Sequence, residues 1–153
     1  MVISKEYFED LVVGASRETA TKTVDKDEII EFGREFDPQT FHIDEAAAKQ
    51  SIFGGLIASG WHTAAMAMRL IVDTFVRNAA STGSPGFDNL RWLQPVRPGD
   101  VIRVRSTVVE KIPSKSRPNL GVVKFSTEVL NQRDEVVMSL TSIAMYNRRP
   151  NKT

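Results

Sequence analysis

The sequence predicts an α+β domain in which an antiparallel sheet wraps a long helix. Up to about residue 80, apolar residues recur three and four positions apart, the spacing that keeps them on one side of a helix. After residue 86 the period drops to two and β-branched residues dominate, as in strands with one buried face. Short turn signals separate those later segments, and consecutive strands joined by short turns pair antiparallel. Helices first and strands second, packed as two layers, make α+β rather than alternating α/β.

Residues 1–16 are mixed, with Tyr7, Phe8, Leu11, Val12 and Val13 as expected anchors. Arg17 to Val24 alternates and is read as a strand. Asp25 is placed to cap a helix, with Glu28 three residues on to complete a capping box. Ile29, Phe32 and Phe36 then mark one helical face. Pro38 stops this helix, because the residue before proline avoids helical angles. Asp37 therefore falls at the helix exit and His42 in the loop beyond.

Asp44 is expected to cap a short helix through Gln50, which Phe53-Gly54-Gly55 breaks. A longer helix follows Ser59-Gly60 and runs to about Ala80. It is apolar nearly all round (Ala64, Met66, Ala67, Met68, Leu70, Ile71, Val72, Phe75, Val76), so burial on most sides is expected. Ser81-Thr82-Gly83-Ser84-Pro85-Gly86 reads as a turn, and strands are expected over 87–96, 101–112, 121–131 and 135–147. In the second of these Ile102, Val104, Ser106 and Val108 share one face, and Arg103, Arg105 and Thr107 the other. Pro98-Gly99-Asp100, the Pro113–Asn119 loop and Asn131-Gln132-Arg133-Asp134 are the intervening turns. No repeat, linker or low-complexity tract divides residues 1–153, so one domain is expected. A long buried helix with a sheet able to wrap it is the hot-dog arrangement.

Composition excludes several function classes. With 41% hydrophobic and 25% charged residues the chain is not of the disordered type. A net charge of +1 carries no nucleic-acid or membrane-surface signature. The absence of cysteine removes disulfides, thiolate nucleophiles and thiolate metal sites. The first six residues have neither a basic n-region nor an apolar h-region, so no signal peptide is expected. The most apolar run, Ile57–Val76, is interrupted by His62, Arg69 and Asp73 and is not a membrane span. A cytoplasmic protein is expected.

Chemistry concentrates in Asp37-Pro38-Gln39-Thr40-Phe41-His42, because the chain has only two histidines. A carboxylate and an imidazole held close by a short segment can act on one water or one substrate proton. Residues of the same types also do plainer work: Asp37 can close the turn before Pro38, and His42 can bond a backbone carbonyl. Ser59 fits an N-cap. Gly54, Gly55 and Gly60 cluster before the long helix, where a ligand could approach the backbone closely. His62 reads as packed or partner-facing, Trp61 as core or tunnel wall, and Met66 and Met68 as core filling. Lys115-Ser116-Arg117 reads as a solvated hairpin connection that could instead meet phosphate, and the same holds for Arg91 and Arg97.

Taken together, these residues resemble the MaoC-like dehydratases, a hot-dog family that includes the (R)-specific enoyl-CoA hydratases. The likeness spans nearly the whole chain: Tyr7-Phe8-Glu9-Asp10-Leu11 with Val13-Gly14; Asp37 and His42 at the hydratase spacing; Asp44; Phe53-Gly54-Gly55-Leu56-Ile57-Ala58-Ser59-Gly60; Phe87-Asp88-Asn89-Leu90-Arg91-Trp92; and Pro95-Val96-Arg97-Pro98-Gly99-Asp100. The chain departs from the family where Gln39 stands for the usual Asn, where proline moves to position 38, where Ser59 replaces a common His, and where Met68 falls near a serine of some hydratases. The resemblance implies reversible addition of water to a trans-2-enoyl-CoA to give a 3-hydroxyacyl-CoA. It assigns Asp37 and His42 to the water and the C2 proton, and the Gly60 N–H to the thioester oxygen, with Ser59 and Gly55 beside the substrate. It implies no metal or redox cofactor, since coenzyme A is part of the substrate, and a homodimer. A branched or dicarboxylic substrate of the mesaconyl-CoA type, an acyl-thioester-binding protein without turnover, and a thioesterase are the alternatives.

Overall fold

The computed structural model describes residues 5–151. Met1–Ser4, where the absence of a signal peptide was read, and residues 152–153 lie outside them. A 3-10 turn at Phe8–Asp10 leads into short strands β1 (Ser16–Glu18) and β2 (Lys22–Thr23). Helices α1 (Lys26–Phe36), α2 (Thr40–Ile43), α3 (Glu45–Lys49) and α4 (Gly60–Ile71) follow, the last continued by a π turn over Val72–Val76. Strands β3 (Ser81–Trp92), β4 (Val101–Pro113), β5 (Leu120–Leu130) and β6 (Val136–Asn147) complete the chain. Among the described residues no helix is long and apolar enough to cross a membrane.

The sheet has six strands, paired in the order β1-β4-β5-β6-β3 with β2 also on β4. The expected hot-dog arrangement of α4 against an antiparallel sheet is what forms. Strand β4 alternates as read, with Ile102, Val104 and Val108 buried. In register with it, Val104 faces Val129 and Val129 faces Met138. This apolar surface packs on Ile29 of α1, Ala48 of α3 and Met66, Ala67 and Leu70 of α4 in one core. A smaller cluster of Phe8, Leu11, Val123, Phe125 and Tyr146 closes the other end.

Several expectations need correction. Ser81–Gly86 is not a turn but the irregular first half of β3. Gly83 and Gly86 take φ of 119° and 152° at its register shifts, and Pro85 is tolerated because β3 is an edge strand. The long helix ends short of Ala80, and only one face of it is buried. Met66, Ala67 and Leu70 point inward, whereas Trp61 and Met68 are 58% and 43% exposed. Phe36 stays 65% exposed although it continues the Ile29 stripe; its ring rests only on Phe32, 5.0 Å away. The buried partner of Ile29 on α1 is Gly33, where a Cβ would meet Ile43 Cγ2 at 2.9 Å and His42 Cβ at 3.0 Å. Asp25 caps α1 by accepting from the Asp27 N–H, but Glu28 does not close a capping box. Its carboxylate turns instead to Lys22 and His62. His42 sits on the short helix α2, not in a loop.

Candidate active site

Three elements bring the singled-out residues together. Helix α1 ends at Phe36 and leaves Asp37 as its C-cap, just before Pro38. The chain then winds at once into α2, which turns His42 inward until it is 4% exposed. Ser59 caps α4 by accepting from the Trp61 N–H, so Gly60 is the first helical residue. The N–H groups of a first helical turn have no intrahelical acceptor, and the helix dipole makes that end attractive to negative charge. Asp37, His42 and Gly60 all line one cavity of about 480 Å³.

The hydrogen bonds around Asp37 and His42 define their states. His42 Nδ1 lies 2.7 Å from the carbonyl oxygen of Ile57. A carbonyl only accepts, so Nδ1 carries a proton, and Nε2 is the ring nitrogen left to face Asp37. Nε2 lies 3.3 Å from Asp37 Oδ2. That oxygen also accepts from the Ser59 hydroxyl at 2.7 Å, and Oδ1 accepts from Gln39 Nε2 at 2.8 Å. Burial raises the Asp37 pKa, but hydrogen bonds from Ser59 and Gln39 and attraction to His42 outweigh it, and the net result lies below the usual 3.8. The site therefore holds a fixed carboxylate beside an imidazole oriented by the Ile57 carbonyl.

The other expected residues divide. Ser59 is fully buried and serves Asp37, not the cavity wall, because its hydroxyl is spent between that carboxylate and the Trp61 N–H. Gly55 also misses the cavity; a Cβ there would meet Arg97 Nη1 at 3.3 Å, and Arg97 is tied to the Phe53 carbonyl. Arg69 pairs with Asp73, Arg91 bonds the Leu90 carbonyl, and Lys115 and Arg117 are exposed in the β4–β5 connection. Among the described residues no lysine or arginine lines the cavity. Trp61 stands at its mouth in edge contact with Trp92, ring centroids 5.1 Å apart. Trp92 packs flat against Gly60, where a Cβ would meet the indole at 2.3 Å, and its Nε1 donates to the Gly60 carbonyl at 3.0 Å. Glycine is needed at position 60 for this close approach.

Sequence reasoning missed Gln39, Gly33, Thr63, Trp92 and the Ile57 carbonyl. Gln39 was noted only as a departure, though a side-chain amide two residues after an aspartate can reach its carboxylate. Trp92 and Ile57 come from distant parts of the chain and leave no local signal.

A family profile described as the MaoC like domain matches residues 10–146. The crystal structure of the MaoC-like dehydratase from Rhodospirillum rubrum superposes with a TM-score of 0.87 at 44% identity, covering 95% of this chain and 99% of that one. The 3-hydroxybutyryl-CoA dehydratase of Methylorubrum extorquens is 31% identical over 116 residues, 75% of this chain and 71% of that protein. The mesaconyl-CoA hydratase of Cereibacter sphaeroides is 41% identical over 64 residues, 42% of this chain but 18% of that protein.

Proposed function

The chain belongs to the MaoC-like dehydratase family, and on that premise we propose that it adds water reversibly across the double bond of a trans-2-enoyl-CoA. The observation that carries the reading is the meeting of Asp37, His42 and Gly60, the first residue of α4, at one cavity. Water attacks C3 as its proton passes to His42 Nε2. The ionised Asp37 steadies the imidazolium that forms, and the Gly60 N–H receives the charge that develops on the thioester oxygen. Nε2–H then gives its proton to C2, so OH and H are added and the ring returns to its starting tautomer. Asp37 is held as the anion, the form that steadies a protonated His42.

A mesaconyl-CoA-type substrate is the second reading, favoured by the 64-residue likeness to that hydratase. It stands behind the first because a second substrate carboxylate calls for a cation, and no lysine or arginine of this chain lines the cavity among the described residues. Incubation with crotonyl-CoA is expected to remove the enoyl-thioester absorbance and yield the 3-hydroxyacyl-CoA. If straight-chain, branched and mesaconyl thioesters all persist with folded protein, the hydratase reading is wrong. Tight binding of a thioester recovered unchanged would favour a carrier instead.

The same reading includes a homodimer. Strand β3 is a sheet edge of 12 residues, and an edge this long is ordinarily paired or covered. Phe87 and Trp92 on it are 51% and 46% exposed. Light scattering is expected to give twice the chain mass of 17.1 kDa; a 17.1 kDa species at micromolar concentration would remove β3 as a self-pairing edge.

A further inference from the structure

His62 is the second histidine of the chain, and the hydration chemistry leaves it unused. It does not line the cavity shared by Asp37, His42 and Gly60. It lies two residues into α4, 3% exposed, with its ring stacked on Phe32 of α1 at 4.8 Å and 16°. Its Nε2 lies 3.3 Å from Glu28 Oε1, and Glu28 Oε2 lies 3.3 Å from Lys22 Nζ. A carboxylate accepts, so the proton sits on Nε2. The other ring nitrogen, Nδ1, is buried with no hydrogen-bond partner among the described residues. A buried polar atom left without a partner needs a reason.

Placement supplies one. Helix α1 runs toward Asp37, and α4 runs away from Gly60. The Ser59–Asp37 hydrogen bond joins them at the site, and His62 joins them one turn further on, to Glu28 and Phe32. Beside the apolar packing of Ile29, Met66 and Ala67 in the shared core, these two directional contacts fix the angle between the helices. We propose that His62 is a positioning residue for the hydration reaction: its contacts with Glu28 and Phe32 hold α1 against α4 and so set the Asp37 carboxylate relative to the Gly60 N–H. The proposal rests on the hydratase reading for its kinetic test and on the helix pair alone for its structural one.

The orphaned Nδ1 follows from this role. The ring is turned so that one edge meets Glu28 and one face meets Phe32, and Nδ1 is left without a partner among the described residues. A second proton there would be a buried, unpaired N–H. Burial lowers the His62 pKa below the usual 6.5; Glu28 opposes this, and Lys22 and His42 add to it. Glu31, Glu35 and Arg69 line the same groove. The unfolded chain thus takes up a proton before the folded one does. The sign is definite: the folded state loses stability as pH falls below about 6.5, down to the lowered folded value.

The test is a set of three variants. His62→Phe keeps the stacked ring and removes the donor. His62→Gln restores an N–H at the same reach. Glu28→Ala removes the acceptor from a partly exposed position. Displacing reacting groups by about 1 Å costs up to roughly a hundredfold. His62→Phe and Glu28→Ala are expected to lower kcat roughly ten- to hundredfold with KM nearly unchanged, and His62→Gln to recover most of it. Both His62 variants are expected to flatten the stability change below about pH 6.5. Wild-type kcat in His62→Phe, or equal losses in the Gln and Phe variants, overturns the proposal. If His62→Phe does not fold, Glu28→Ala carries the same kinetic expectation. If the wild type has no hydratase activity, that reading fails by itself. Amide exchange then decides the positioning role: it should quicken at Asp37 and over Gly60–Thr63 in Glu28→Ala, and unchanged exchange would overturn it.

Discussion

Replacing His42 by alanine is expected to lower kcat for crotonyl-CoA hydration by about 10²–10⁴-fold, the range that a positioned acid/base contributes. The loss follows from Nε2, the ring nitrogen that the Nδ1–H bond to the Ile57 carbonyl leaves beside Asp37. Alanine also strands that carbonyl, and a buried acceptor without a donor costs about 1–3 kcal/mol. His42→Asn separates the two effects. Its side-chain N–H can reach the Ile57 carbonyl as Nδ1 does, but it has nothing at the Nε2 position. The thermal midpoint should recover in His42→Asn while kcat stays low. An asparagine variant with full activity would show that the ring is structural.

Asp37→Asn is expected to be nearly as damaging, again about 10²–10⁴-fold in kcat. The substitution keeps size and removes charge. Both carboxylate oxygens now accept, one from Gln39 and one from Ser59. An amide keeps only one of these two acceptors, so Ser59 or Gln39 must turn its own acceptor to the new N–H, and the imidazolium formed during turnover loses its counter-charge. The pH dependence of stability gives a second check. The folded Asp37 carboxyl titrates below 3.8, so its contribution is present above that value and is lost as pH falls through the lowered one. Denaturant midpoints taken below about pH 4 should therefore fall less steeply in Asp37→Asn than in the wild type. Parallel curves would mean that the two hydrogen bonds do not hold the carboxylate ionised.

Local chemistry made much of this arrangement readable. Asp25, Asp44 and Ser59 cap the helices they were expected to cap, because an N-cap depends on residues only two or three positions away. Pro38 stops α1 for an equally local reason. The alternation of β4 declares its buried face. What could not be read depends on neighbours far along the chain. Ser81–Gly86 has turn composition, and its pairing to β6 comes from residues some sixty positions later. Ser59 looked like a cap with a possible ligand; its bond to Asp37 spans 22 residues. Gly55 shared a glycine cluster with Gly60, yet only Gly60 lines the cavity; Arg97 stands beside Gly55 and Trp92 beside Gly60. Gly33, within α1, is where His42 and Ile43 of α2 press against that helix. Asp37 and His42 were legible as a pair, whereas the hydrogen bond that orients the imidazole depends on the Ile57 carbonyl.

Trp61 and Trp92 are the only tryptophans in the chain, and both stand at the mouth of the same cavity. Tryptophan emission from this protein therefore comes from its site and its immediate rim. An unlabelled sample carries its own optical probe of occupancy: a thioester that enters beside Gly60 must change the surroundings of Trp92. Titrating a thioester into the protein should change the intensity or wavelength of that emission in step with binding. A ligand that binds by calorimetry but leaves the spectrum flat is bound elsewhere on the molecule.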